Sequence, residues 1–135
     1  MKIDGRCHCG SVSYETVIDP DEVEICHCTD CQTLSGSAFR IVVPTSEADF
    51  RLLSGELKTY VKTAESGNKR LQLFCPECGT SIYSTSVGGI SPKTFGLRVA
   101  TAHQRASLPP KGQFWARSAL PWITDIAALP RSETE

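Results

Sequence analysis

The stretch Cys75-Pro76-Glu77-Cys78-Gly79 decides how this chain folds. Its C-x-x-C spacing lets two thiolates converge on one metal ion. The glycine after the second cysteine accepts a positive backbone dihedral and lets amides approach sulfur. A knuckle of this kind needs two further ligands. The other five of the seven cysteines stand in two clusters, Cys7-His8-Cys9-Gly10 and Cys26-His27-Cys28-Thr29-Asp30-Cys31. Cys7 and Cys9 also end in glycine and are the natural second pair. A site of Cys7, Cys9, Cys75 and Cys78 joins the N-terminal segment to the middle of the chain, and its metal-binding free energy is folding free energy. An alternative pairing takes Cys26 and Cys28 to the knuckle and strands Cys7 and Cys9; spacing alone allows both.

Cys26, Cys28 and Cys31 then form a three-thiolate site on one short segment. Three protein ligands leave a fourth tetrahedral position for water or substrate, the arrangement of a catalytic zinc. A local residue filling that position would close the site, and Asp30, His27 and the distant His103 have the right chemistry. His8 and His27 each sit inside a C-x-C step, where neighbouring side chains point away from the metal, so packing or hydrogen bonding suits them better. Disulfides fit poorly: seven is odd, and a C-x-C bridge closes a small, strained ring. Thiolates also suit iron–sulfur clusters, the remaining metal option.

The bulk properties describe an ordinary globular chain. Its 135 residues are 40% hydrophobic and 21% charged, which predicts one zinc-binding domain over 1–135 with its core at about 5–125. The formal net charge of −1 offers no global attraction for nucleic acid or an anionic membrane. No apolar run approaches a membrane span, and Met1-Lys2-Ile3-Asp4-Gly5-Arg6 lacks the apolar core of a signal peptide. Cysteine clusters of this kind then predict metal binding in a reducing cytoplasm.

Periodicity predicts a mostly β protein. Strands are expected over 11–18, 23–26, 38–43, 50–53, 57–61, 71–74, 82–83 and 94–100. A helical turn is expected over Thr29 to Leu34, ended by Gly36. Glu65-Ser66-Gly67-Asn68 is the clearest turn and predicts a hairpin that delivers the chain to the knuckle. Trp115 and Trp122 are expected to cover core or site.

C-H-C-G near the start, C-H-C-x-x-C some twenty residues on, F-C-x-x-C-G later and Pro121-Trp122 near the end together resemble the glutathione-dependent formaldehyde-activating family, whose domain also occurs in centromere protein V-like proteins. The resemblance runs from about Arg6 to Trp122 and includes all seven cysteines. It implies a β-tent fold of antiparallel sheets pinned by two zinc ions per chain. Cys7, Cys9, Cys75 and Cys78 would carry the structural ion, and Cys26, Cys28 and Cys31 the catalytic one. It implies a carbon–sulfur lyase that joins glutathione to formaldehyde as S-hydroxymethylglutathione.

Glutathione's two carboxylates call for arginine or lysine. Arg40, Lys69, Arg70 and Arg98 lie near the predicted site segments, although any one of them reads better as a solvated strand-face charge. Water, His27 and Thr29 are candidate proton donors. Two other classes compete: a zinc-stabilised binding module without catalysis, and a redox enzyme of the methionine sulfoxide reductase type. The latter needs a late, metal-free cysteine, and none follows Cys78. Lys58, Lys62, Lys69 and Arg70 are the one local patch that nucleic acid would use.

Overall fold

Ten strands and one α-helix carry the fold in the computed structural model, which describes all 135 residues. In chain order these are β1 Lys2–Arg6, β2 Ser13–Val17, β3 Glu24–Cys26, α1 Thr29–Ser35, β4 Arg40–Ser46, β5 Arg51–Ser54, β6 Lys58–Thr63, β7 Lys69–Phe74, β8 Ser81–Ser86, β9 Thr94–Arg98 and β10 Gly112–Phe114. The mostly β expectation is borne out. A three-stranded antiparallel sheet runs β1-β2-β5, and a seven-stranded sheet runs β10-β3-β4-β9-β8-β7-β6. Every pairing is antiparallel except β10 with β3, which is parallel.

The core lies between the two sheets. Ile3, Val12, Tyr14, Val43, Ile82 and Leu97 are buried there. Phe50 stacks on Tyr14 and meets Tyr83 and Phe95 edge-on. The sheets are also joined by polar contacts. Thr16 and Thr45 hydroxyls meet at 2.6 Å, and Thr45 Oγ1 donates to the Val17 carbonyl at 2.8 Å.

Period-2 alternation gives the large sheet two unlike faces. On β4, Val43 and Thr45 are buried toward the core; on β9, Phe95 and Leu97 are. The intervening residues Arg40, Val42, Gly96 and Arg98 line the opposite side, with Ser84 of β8, Gln72 and Arg70 of β7, and Lys62 of β6. The register carries this polar row from strand to strand: Cys26 faces Arg40, Val42 faces Arg98, Gly96 faces Ser84, Ser84 faces Gln72, and Arg70 faces Lys62. The row begins at a cysteine of the three-thiol cluster.

The predicted hairpin joins β6 to β7, with Ala64 N–H donating to the Asn68 carbonyl at 2.7 Å. The predicted helical turn is α1, ended by Gly36. Two expectations change. The β4 strand runs through Pro44 to Ser46: β3 pairs with it only as far as Val42, so at Pro44 it has β9 on one side and no strand on the other, where a proline is tolerated. Strands β1 and β10 were not foreseen; β1 is short and mostly charged, and β10 pairs with residues 88 positions earlier, which leaves no local signal.

Candidate metal centres

The four-thiol group is built from two chain ends that β-structure brings together. Cys7 follows β1, and Cys75 follows β7. The sulfurs of Cys7, Cys9, Cys75 and Cys78 all lie within 4.8 Å of one another. Cys7 and Cys9 Sγ are 3.6 Å apart, and Cys9 and Cys75 Sγ 3.8 Å. A tetrahedral zinc with bonds of about 2.3 Å has sulfur–sulfur edges of about 3.8 Å, whereas a disulfide requires about 2.05 Å. The seven cysteines are all free thiols. The donor set therefore fits a closed tetrahedral ion of zinc type. Gly79 turns the knuckle at φ +77°, where a side chain is strained, and its N–H donates to the Cys75 carbonyl at 2.9 Å.

Local hydrogen bonds reach these sulfurs; at Cys9 the Ser11 hydroxyl and amide lower the thiol, but Cys7, burial and Cys78 outweigh them and the net shift is upward. The Val12 N–H donates to Cys7 Sγ at 3.3 Å, and the Ser11 hydroxyl lies 3.1 Å from Cys9 Sγ and 3.3 Å from Cys75 Sγ. The Thr80 hydroxyl, 3.2 Å from Cys78 Sγ, is the chief cause that brings that thiol down to about 5. Burial pushes the Cys7 thiol up, but the Val12 amide and the Ser11 hydroxyl outweigh it and the net shift is downward.

The three-thiol group is local. Cys26 ends β3, Cys28 caps α1, and Cys31 lies in the first turn of that helix. Cys28 Sγ accepts from the Cys31 N–H at 3.3 Å. Their three sulfurs also lie within 4.8 Å of one another. Burial raises Cys28, but the Cys31 amide and neighbouring thiols bring it below the usual thiol range. Cys31 is pushed up to about 12, chiefly by burial, with Arg40 opposing. Three soft donors at three vertices fit an open zinc-type site.

Each residue that was expected to compete for the fourth vertex is engaged elsewhere. His27 is 1% exposed, and its Nε2–H donates to Gln113 Oε1 at 2.7 Å, which is the hydrogen-bonding role expected of it. Asp30 is paired with Lys62 Nζ at 2.9 Å. His103 pairs with Asp4 at 2.8 Å, beside the four-thiol centre. The alternative grouping of Cys26 and Cys28 with the knuckle does not occur. The segment of the open centre is clamped from the C-terminal side: His27 N–H donates to the Phe114 carbonyl at 3.0 Å, and Gln32 Nε2 donates to the carbonyls of His27 and Ser118.

The three thiols open onto a cavity of about 930 Å³ on the polar face of the large sheet. Arg40 and Arg98 are not the solvated strand-face charges expected; they are 7% and 6% exposed and line this cavity with Arg70. Alternation along a strand reveals its two faces, and does not reveal that the polar one is covered. Gln72, Gly96, Lys62 and Arg117 also line it, and sequence reasoning assigned none of them to the site. Gly96 gives that face its room, and a side chain there would press its neighbours aside by a few tenths of an ångström. A Cβ would meet Val42 Cγ2 at 3.1 Å and Ser84 Oγ at 3.2 Å, beneath the Arg98 guanidinium.

Of the two tryptophans expected to cover core or site, Trp115 lies at the site and neither is buried in the core. Trp115 is 47% and Trp122 51% exposed. Trp115 lines the cavity in a left-handed backbone conformation, φ 55°, with the Arg117 guanidinium 4.9 Å from its ring centroid. Of the suspected basic patch, Lys62 is paired with Asp30 and Arg70 faces the cavity; Lys58 and Lys69 remain exposed. No helix is long and apolar enough to cross a membrane.

A family model described as glutathione-dependent formaldehyde-activating enzyme matches residues 2–118. This chain belongs to that family. The formaldehyde-activating match ends at Ser118, within the segment that clamps the three-cysteine centre. Among curated proteins the family member is similar to an uncharacterised lyase of Schizosaccharomyces pombe, 26% identical over 89 residues. The aligned part is 66% of this chain and 61% of that relative. A crystal structure of a Rhodobacter sphaeroides protein shares the fold, with a TM-score of 0.63 at 22% identity, covering 82% of this chain and 98% of that one.

Proposed function

We propose that the chain is a single zinc-binding domain and a carbon–sulfur lyase of the glutathione-dependent type, which in the synthetic direction adds glutathione to formaldehyde. The observation that carries this reading is the open three-thiol group at the mouth of a large cavity, with His27, Asp30 and His103 all engaged elsewhere. Family membership and a distant relative named a lyase support a lyase-type activity. Cys26, Cys28 and Cys31 would hold the catalytic zinc, and Cys7, Cys9, Cys75 and Cys78 the structural one. A zinc ion bound by the three cysteines would supply Lewis acidity that favours the thiolate form of a substrate thiol and leave a coordination position for it.

The remaining work falls to the chain. In the addition a sulfur–carbon bond forms, the carbonyl π-bond opens, and the thiol's proton ends on the former carbonyl oxygen; nothing is oxidised or reduced. The Gln113–His27 bond holds the cysteine segment and keeps the His27 imidazole away from the reacting atoms. Thr29 lines the cavity, so its hydroxyl or a cavity water returns the proton. The arginine row opposite Cys26 gives the carboxylates of glutathione their counter-charge. Free thiolate ligands suit a reducing compartment, the cytoplasm.

The test follows formaldehyde–glutathione exchange by NMR on protein carrying two zinc ions, with the spontaneous rate subtracted. Exchange above background that is lost in Cys31→Ser is the expected result. Background-level exchange from fully loaded protein would replace the enzyme with a zinc-stabilised binding module.

A further inference from the structure

Arg40 and Arg98 pose a charge problem that the fold leaves unsolved. Both are more than nine-tenths buried on adjacent strands, β4 and β9. The ion pairs of the chain are Arg51–Glu15, Lys62–Asp30, His103–Asp4 and Arg131–Glu133, so neither buried arginine has a carboxylate. They share one neutral acceptor instead. Gln72 Oε1 lies 2.8 Å from Arg98 Nη2 and 3.4 Å from Arg40 Nη1. Arg98 Nη1 donates to the Gly96 carbonyl at 3.0 Å. Arg40 Nη2 and Arg98 Nε have no partner.

Two like charges around one amide oxygen are under-solvated as well as mutually repelling. Burial, and Arg40 beside it, bring Arg98 down to about 9, so the guanidinium stays cationic at neutral pH. The cavity as a whole is short of negative charge. Arg40, Arg70, Arg98, Arg117 and Lys62 line it against only Asp30 and Glu65. Three thiolates on a dipositive ion would contribute a single further negative charge, and a positive surplus remains.

We propose that Arg40 and Arg98, braced by Gln72, form a carboxylate-binding subsite on the cavity floor beside the three-thiol centre. Arg40 stands directly across from Cys26, about one strand spacing of ~4.8 Å away. An anion seated there sits next to the reacting atoms. A guanidinium offers a planar fork that matches a planar carboxylate, and carboxylate is the anion that small thiols and carbonyl compounds carry. The carboxylate has two sources: the thiol substrate itself, or an electrophile bearing a carboxylate next to its carbonyl, as a 2-oxo acid does. Binding at this subsite is independent of the lyase reading; only the identity of the ligand as a substrate rests on it.

The experiment is calorimetric titration of zinc-loaded full-length protein and its Arg98→Gln, Arg40→Gln and Arg98→Lys variants, with zinc content measured on each. One arm titrates N-acetyl-S-methylglutathione against its neutral diester; the other titrates glyoxylate against neutral glycolaldehyde. The expected result is two zinc ions retained, at least one carboxylate probe weakened about tenfold or more in both glutamine variants, and no change for the neutral probes. Arg98→Lys, which keeps the charge and the fold but loses the fork, should fall between. The arm that responds identifies the source. Equal binding of both carboxylate probes by wild type and variants overturns the subsite. So does loss of one zinc from the glutamine variants, which would make the guanidiniums counter-charges for the thiolates. Carboxylate binding without accelerated exchange would remove the thiol-addition reading and leave the subsite standing.

Discussion

The two cysteine centres use the same donor atom and are built in opposite ways. The four-thiol centre draws two residues from the N-terminal loop and two from a knuckle 66 positions later, and hydroxyls and amides of Ser11, Val12 and Thr80 surround its sulfurs. The three-thiol centre comes from six consecutive residues and faces a cavity rich in arginine. A metal ion at the first closes a long loop; at the second it closes almost none. The difference teaches that the number of thiols matters less than the span of chain between them: long span makes a staple, short span leaves a ligand set that the fold can do without.

The harshest way to break the comparison is Cys75→Ser. Structural zinc contributes about 10–16 kcal/mol in small zinc modules, against a total domain stability of about 5–15 kcal/mol. The expected outcome is loss of the cooperative thermal transition by circular dichroism. Cys31→Ser should instead retain a cooperative transition, with Tm within about 10 °C of wild type, zinc content reduced from two to one, and exchange at background. Equal unfolding in both variants would erase the distinction between the centres.

Acid titration sharpens the same contrast. The Cys78 thiol, brought down to about 5 by Thr80 and neighbouring amides, stays ionised well below the ordinary range near 9. Its stabilising effect is present above the unfolded value and is lost as pH falls toward 5. Cys31 is shifted the other way, to about 12, while Cys9 of the four-thiol centre is also raised and Cys28 of the three-thiol centre lowered, so the order of release rests on ligand number, four thiolates holding an ion against protons longer than three. Zinc release followed with a colorimetric chelator should occur in two steps on acidification, the three-thiol centre first. A single step, or the reverse order shown by Cys31→Ser lacking the late step, would contradict the assignment. The smallest effect is expected from Gly79→Ala, which places a side chain at φ +77°. It should cost about 1–2 kcal/mol in thermal or denaturant unfolding, without loss of either metal.

What could be read from the residues follows from the range of the interactions concerned. The knuckle, the Cys28-capped turn ending at Gly36 and the Glu65–Asn68 hairpin are short-range chemistry, and each stands where its residues said. The division of seven thiols into four and three was only partly legible: spacing also allowed Cys26 and Cys28 to join the knuckle, and it was the family resemblance that favoured the grouping found. Pairing of β3 with β10 was not legible, since two three-residue segments 88 positions apart carry no pattern of their own. Arg40 was the subtler case. It interrupts the apolar run from Ala38 to Val43 on the side opposite the core, which reads as solvent, and only the three-dimensional cover over that face makes it buried. Gln72 and Gly96 gave no signal either; an amide and a glycine in strands acquire meaning only once two guanidiniums lie over them.

The clamp on the open centre also sets an order of assembly. All four ligands of the staple precede Gly79, whereas Gln113, Phe114 and Ser118 come some forty residues later in synthesis. A growing chain therefore owns all four thiols of the first group before the segment that holds Cys26, Cys28 and Cys31 in place has been made. The four-thiol scaffold is available first, and the three-thiol pocket is the last part to be tightened.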